Sequence, residues 1–169
     1  MTVLGGVLGP LNNGGPVVDV AMVKLMEPPE SICVSSFEFP GIMSPPLQLG
    51  DGATKILELA EFPRRPFSVY GRGARSASTM TAVVNPLMSE IWFRNVQPDG
   101  VGSLVFICIH AETQRNWNPG DSGTWCWTED GMLVGMGMAY AHIDNRHFCC
   151  MLPMPNVVAA IAQLMEGLS

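Results

Sequence analysis

Positive charge is scarce in this 169-residue chain. Nine lysines and arginines stand against fifteen acidic residues, for a net charge of −6, and the nine are not gathered with aromatics into a stripe. That excludes the electrostatic footprint of a nucleic-acid binder. No apolar run approaches the length that spans a bilayer, and the opening MTVLGGVLGPLNNGG has no basic n-region and is broken by glycine and proline. The expectation is a soluble, cytoplasmic protein with neither nucleic acid nor membrane as partner. Internal repeats and low-complexity segments are also absent.

Cysteine is present in an odd number, five: Cys33, Cys108, Cys126, Cys149 and Cys150. Three of them lie inside apolar, strand-like runs, as small buried hydrophobes do, so five free thiols in a reducing compartment are expected. The vicinal Cys149 and Cys150, with His142 and His147 nearby, raise the question of a zinc site. Adjacent residues of a strand face opposite ways, so the two thiols do not reach one ion. No metal and no cofactor are expected.

What the chain has in quantity is turn-forming residues and short apolar segments: 18 Gly and 14 Pro within a composition that is 47% hydrophobic. This cadence belongs to an all-β protein. Val17–Leu25 reads as a strand closed by Met26-Glu-Pro-Pro-Glu30, and Ile32–Phe37 as another, before a Pro/Gly-rich connection at Phe39–Pro46. From Ser68 on, runs recur at Ser68–Tyr70, Met80–Val84, Ile91–Phe93, Leu104–His110, Thr124–Trp127, Leu133–Tyr140 and Phe148–Leu152, which predicts one closed six-stranded antiparallel barrel spanning about Ser68–Leu152. Glu129-Asp130-Gly131 supplies the turn of a hairpin between two of these runs. Val157, Val158, Ile161, Leu164 and Met165 recur at spacings of three and four after Pro155, predicting an amphipathic helix over Asn156–Gly167 that packs the barrel.

Chemistry concentrates at Asn118-Pro-Gly-Asp-Ser-Gly-Thr124. A nucleophilic serine needs a tight turn that exposes its hydroxyl and aims backbone N–H groups at the developing oxyanion, and Gly120 and Gly123 permit such a backbone. Gly-Asp-Ser-Gly is also ordinary turn composition, so the flanking pattern has to decide.

With that pattern, the chain resembles the chymotrypsin-like serine peptidases, whose nucleophile stands in a Gly-Asp-Ser-Gly turn just before a hairpin of the C-terminal barrel. Thr124–Trp127, Glu129–Gly131 and Met132–Tyr140 look like the paired strands of that hairpin, and Asn145–Pro153 with Asn156–Gly167 like the last strand and closing helix. Val69–Val84 resembles the opening of the second barrel in bacterial and fungal members. Val18-Asp-Val-Ala-Met-Val-Lys-Leu25 resembles the Asp-Ile-Ala-Leu-type strand whose aspartate orients the catalytic imidazole. The resemblance implies a chymotrypsin-like C-terminal β-barrel over 68–169, preceded in 1–67 by a remnant of the N-terminal barrel and an interdomain connection. It implies Ser122 as nucleophile, the Gly120 and Ser122 N–H groups as oxyanion hole, Asp19 as orienting acid and Asp121 as support of the loop. Substrate would be a polypeptide, contacted by Asn116, Ala139, Tyr140 and Ala141, in a neutral pocket for small or apolar P1 side chains.

The pattern breaks at the base. The family's histidine precedes its acid by several dozen residues, yet only eighteen residues precede Asp19 and none is histidine. His110, His142 and His147 all come later, without an evident route to the base position, and are expected to be structural. The resemblance therefore implies a piece of a serine endopeptidase, nearly inactive alone and in need of a partner chain or N-terminal fragment that carries the histidine. Proteolytic processing, a split gene and a shortened domain all fit that pattern. The alternative is an inactive protease-like module that binds peptide in the same cleft.

Overall fold

The computed structural model describes residues 2–10, 17–24, 36–37, 47–48, 55–71, 80–91, 103–109, 120–143 and 146–168, with side chains described within 55–71, 81–91, 105–108, 120–140 and 148–167. In chain order the strands are β1 Thr2–Pro10, β2 Val17–Lys24, β3 Ser36–Phe37, β4 Leu47–Gln48, β5 Phe67–Gly71, β6 Met80–Ile91, β7 Ser103–Ile109, β8 Trp125–Trp127, β9 Leu133–Ile143 and β10 Arg146–Pro153, followed by the helix α1 Met154–Leu168.

Six of these strands close into a barrel in the order β10-β7-β6-β5-β8-β9, every pair antiparallel. Four pairings join strands consecutive in sequence, the kind that short turns make accessible; β7 with β10 and β5 with β8 seal the cylinder over long sequence separations. Closure pairs each barrel strand on both sides over at least part of its length, which limits the edge open to association. The seam between β5 and β8 is close: a Cβ on Gly71 would fall 2.8 Å from Thr124 Cγ2 and 2.9 Å from the Trp125 carbonyl oxygen. Only glycine fits there.

Alternation along the strands divides the apolar residues into two cores. One fills the barrel with Val69, Ala82, Val84, Phe106, Cys108, Cys126, Val134, Cys149 and Met151. The other lies between the barrel wall and α1, where Val105, Trp127, Leu133, Cys150 and Leu152 meet Met154, Val157 and Ala160. Cys149 and Cys150 thus belong to different cores, as their adjacency on a strand requires. Each fully buried large side chain contributes roughly 1.5–3 kcal/mol. Leu57 enters the barrel core from the segment before β5, whose backbone is tied to β9 by Leu57 N–H to the Leu133 carbonyl (2.9 Å) and Leu133 N–H to the Lys55 carbonyl (2.8 Å). Phe62 stacks on Phe106 at 4.4 Å and packs edge-on against Phe67 at 5.9 Å.

Three elements differ from the sequence reading. Met80–Val84 and Ile91–Phe93 are not separate strands: one long β6 runs from Met80 to Ile91, with its register to β7 interrupted between Val84 and Met88, where Asn85 Oδ1 accepts the Leu87 N–H at 3.1 Å around Pro86. Proline cannot donate to the ladder, and the bulge absorbs it. The glycine-broken opening forms β1, which gives the strand predicted at Val17–Leu25 and observed over Val17–Lys24 an antiparallel partner. The terminal helix begins two residues early, at Met154, with Pro155 in its first turn, and packs on β2 as well as on β9 and β10. Phe39–Pro46 lies outside the described residues.

Cys108, Cys126, Cys149 and Cys150 are all free and buried; Cys33 lies outside the described residues. Burial, helped by the neighbouring Cys150, pushes the Cys108 thiol up to about 12. Burial likewise raises Cys126 and Cys149 well above the ordinary value of 9.0, and raises Cys150. A disulfide reagent should leave these four unmodified in the folded protein at neutral pH, and titrate five thiols once it is denatured without reductant. Fewer than five would reveal a disulfide. The same shifts predict alkaline lability. Below pH 9 both folded and unfolded chains keep their thiol protons and stability is full. Above it the unfolded chain releases protons that the folded core retains, so stability falls as pH rises, on the order of 4 kcal/mol from Cys108 alone by pH 12. Urea melts between pH 7 and 11 measure the decline; a flat profile would contradict it.

Candidate functional site

The turn that carries the serine connects to β8 and is held against β9. Gly120 and Gly123 adopt left-handed φ of 103° and 89°, a region that glycine enters without cost and that a β-carbon resists. Between them Asp121 is 1% exposed while Ser122 stands in solvent. The Asp121 carbonyl accepts the Thr124 N–H at 3.1 Å and the Thr124 hydroxyl at 2.6 Å, which closes the turn on itself. Gly123 N–H donates to the Gly137 carbonyl (2.7 Å) and Gly137 N–H to the Thr124 carbonyl (2.8 Å), which fastens the turn to β9.

The Ser122 hydroxyl donates to the Met138 carbonyl at 3.0 Å. Met138 owes that position to a bulge. Cys150 pairs with Ala139 and Met151 with Gly137, so Met138 is the extra residue on β9. A bulged residue leaves the ladder and its backbone is re-aimed; here its carbonyl meets the serine. On the side away from β10, the β8 ladder ends at Trp125 opposite Met136 and the turn's own bonds end at Gly137. Among the described residues, Met138–Ile143 therefore have no strand on that side. The site is an exposed hydroxyl on a clamped turn, beside an open strand edge. Trp125, 49% exposed, borders the turn.

Asp121 also acts electrostatically on the Cys149 thiol, adding to the burial that raises it. Asp121 itself is buried, next in sequence to the exposed serine. Ala139 and Tyr140 lie on β9 directly past the bulge, Ala139 half-buried and Tyr140 36% exposed. Ala141 continues the same strand, with its side chain outside the described residues. Asp19 sits in the middle of β2 opposite Leu8, its side chain likewise outside them, and Asn116 and His110 lie outside the described residues altogether. His142 and His147 are Cα partners near the end of the β9–β10 hairpin. Four residues of strand, about 13 Å, separate His142 from Met138, so the strand itself does not carry that histidine to Ser122.

The sequence reading named Ala139, Tyr140 and Ala141 on this strand as substrate contacts and missed the Met138 carbonyl as the hydroxyl's partner. A main-chain acceptor leaves no signature in residue type, and the bulge that presents it carries no glycine or proline of its own.

A crystal structure of Rv3671c from M. tuberculosis, an inactive form with serine replaced by alanine, is similar to this chain: it is 17% identical with a TM-score of 0.47, over 79% of this chain and 64% of that one. No protein-family model and no curated protein matches the sequence.

Proposed function

We propose that this chain is the C-terminal part of a serine endopeptidase, with Ser122 as the nucleophile. The observation that carries the reading is the serine turn: an exposed hydroxyl between two left-handed glycines, clamped to β9 on both sides. In the reaction the Ser122 oxygen attacks the scissile carbonyl while its proton passes to a histidine, the oxyanion is met by the Gly120 and Ser122 N–H groups, and the same proton leaves with the amine. Water then hydrolyses the acyl-enzyme. Asp19 is the proposed orienter of that histidine, which a partner chain or N-terminal fragment would supply. An extended polypeptide substrate would add to the open edge of β9, with Asn116, Ala139, Tyr140 and Ala141 forming a neutral pocket for a small or apolar P1 side chain.

One observation favours a second reading. In the chain alone, the Ser122 hydroxyl donates to a carbonyl, which cannot take a proton. A protease-like module that binds peptide along the β9 edge without cleaving it has no need of a base. Active-site labelling with a fluorophosphonate separates the two, using Ser122→Ala as the blank. If the chain stays unlabelled when joined to a histidine-bearing upstream segment, the peptide-binding module is the better account.

A further inference from the structure

We infer that Cys108 and Cys149 form a cross-link site: a low-molecular-weight disulfide such as oxidised glutathione converts them, as the barrel closes, into a disulfide across the β7–β10 seam. The two residues are direct Cα partners in that ladder. Their side chains share the barrel's interior cluster, Cys108 fully buried and Cys149 nearly so. After burial itself, Cys108 is the neighbour that raises the Cys149 thiol most, so the two thiols lie within electrostatic reach of each other. Directly opposed residues of an antiparallel pair have Cα atoms about 4.5–5.5 Å apart, inside the range of about 4.4–6.8 Å that a disulfide spans. Their Cβ atoms need to close by about 1 Å. The bridge would replace the weak bond that the Cys149 thiol donates to the Cys150 carbonyl at 3.6 Å.

Other pairings are less direct. Cys150 belongs to the layer under the helix, with Ile107 opposite it, and Cys126 lies opposite Gly71 and Gly135. Among the described residues, Cys108 and Cys149 are the only cysteines that face each other across a ladder. The seam they would bridge joins strands far apart in sequence, where a cross-link restricts the unfolded chain most.

The chemistry is thiol–disulfide exchange. One cysteine thiolate attacks a sulfur of oxidised glutathione and expels a glutathione thiolate; the second attacks the cysteine sulfur of the mixed disulfide and expels the other. Two electrons and two protons thus pass from the cysteine pair to glutathione, which leaves as two thiols. Both cysteines are shut inside the folded core, so the exchange takes place while the seam is open, and the closed barrel then shields the bond. The inference stands apart from the proposed protease activity, since it uses neither Ser122 nor Asp19.

The test uses the full, unaltered chain, refolded from urea in a buffer of reduced and oxidised glutathione, quenched with acid and digested without reductant. Mass spectrometry should find one peptide pair joined through Cys108 and Cys149. The cross-linked protein should unfold at a higher urea concentration than the same protein after reduction. Native protein held with oxidised glutathione below its urea midpoint, where the seam opens transiently, should acquire the same bond and needs no refolding. Either cysteine bonded instead to Cys33, Cys126 or Cys150 would overturn the inference. So would a folded barrel that keeps both as free thiols in both treatments, or a cross-linked chain that unfolds at a lower urea concentration than the reduced one.

Discussion

Joined to an upstream segment that supplies a histidine, the chain should react with a fluorophosphonate at Ser122 by roughly three or more orders of magnitude faster than alone. Alone, the hydroxyl is protonated at neutral pH and its proton rests on the Met138 carbonyl at 3.0 Å, an acceptor with no useful basicity. Only the turn remains to assist, through backbone N–H groups aimed at the phosphoryl oxygen, and such a remnant accounts for a small part of a protease's rate. A histidine within hydrogen-bond reach would draw the hydroxyl off the carbonyl and accept its proton as the new bond forms. If Asp19 orients the imidazole, Asp19→Asn in the joined protein should remove most of that gain and return labelling toward the rate of the isolated chain. Ser122→Ala should abolish labelling. A joined protein that labels no faster than the isolated chain removes the enzyme reading, and one that labels quickly but ignores Asp19→Asn removes only the assignment of the acid.

Gly135→Ala should destabilise the barrel by roughly 3–5 kcal/mol, a large share of a small domain's total. Gly135 is buried on β9, paired with Cys126 of β8 on one side and Pro153 of β10 on the other. A Cβ there would fall 2.3 Å from the Leu152 carbonyl oxygen and 2.8 Å from Met151 Cγ. The methionine has rotamers to spare; the carbonyl belongs to the β10 backbone and does not. The strands would have to separate where β9 is held on both sides. Two glycines give controls of known sign: Gly167→Ala, in the helix with nothing within 4 Å, should be neutral or stabilising by up to about 1 kcal/mol. Gly123→Ala also meets nothing within 4 Å, but its φ of +89° should cost about 1 kcal/mol. Urea midpoints rank the three, and a Gly135→Ala midpoint equal to the unaltered protein's would show that β9 and β10 are not packed as described.

Much of the barrel is legible in the sequence because its information is local. The apolar runs between glycines and prolines mark five of the barrel strands to within a few residues, and the run of apolar spacings after Pro155 marks the helix. Where two runs flank a proline, as at Val84 and Ile91, local reading splits a strand that long-range pairing to β7 holds together. The opening strand is hidden for a related reason: β1 is rich in glycine, and only its ladder to β2 makes it a strand. At the site, residue types point to the serine and its two glycines. The acceptor of the serine's hydrogen bond is a peptide carbonyl presented by a register shift, and a register is a relation between two segments that neither encodes alone.

That shift has a consequence for how β9 tolerates change in length. With Met138 present as the extra residue, Met136 shares a face with Leu152 in the layer under the helix, while Tyr140 shares one with Cys149 of the barrel core. Removing Met138 would restore an even ladder in which Ala139 still meets Cys150 and Tyr140 still meets Cys149, so the residues beyond it would keep their faces. What would go is the Met138 carbonyl, and with it the acceptor of the Ser122 hydroxyl. A substitution at Met138 keeps the main-chain carbonyl, whereas a deletion there removes it. Variation among chains of this design should therefore fall on residue identity within Met138–Ile143 and spare the number of residues between Gly137 and Arg146.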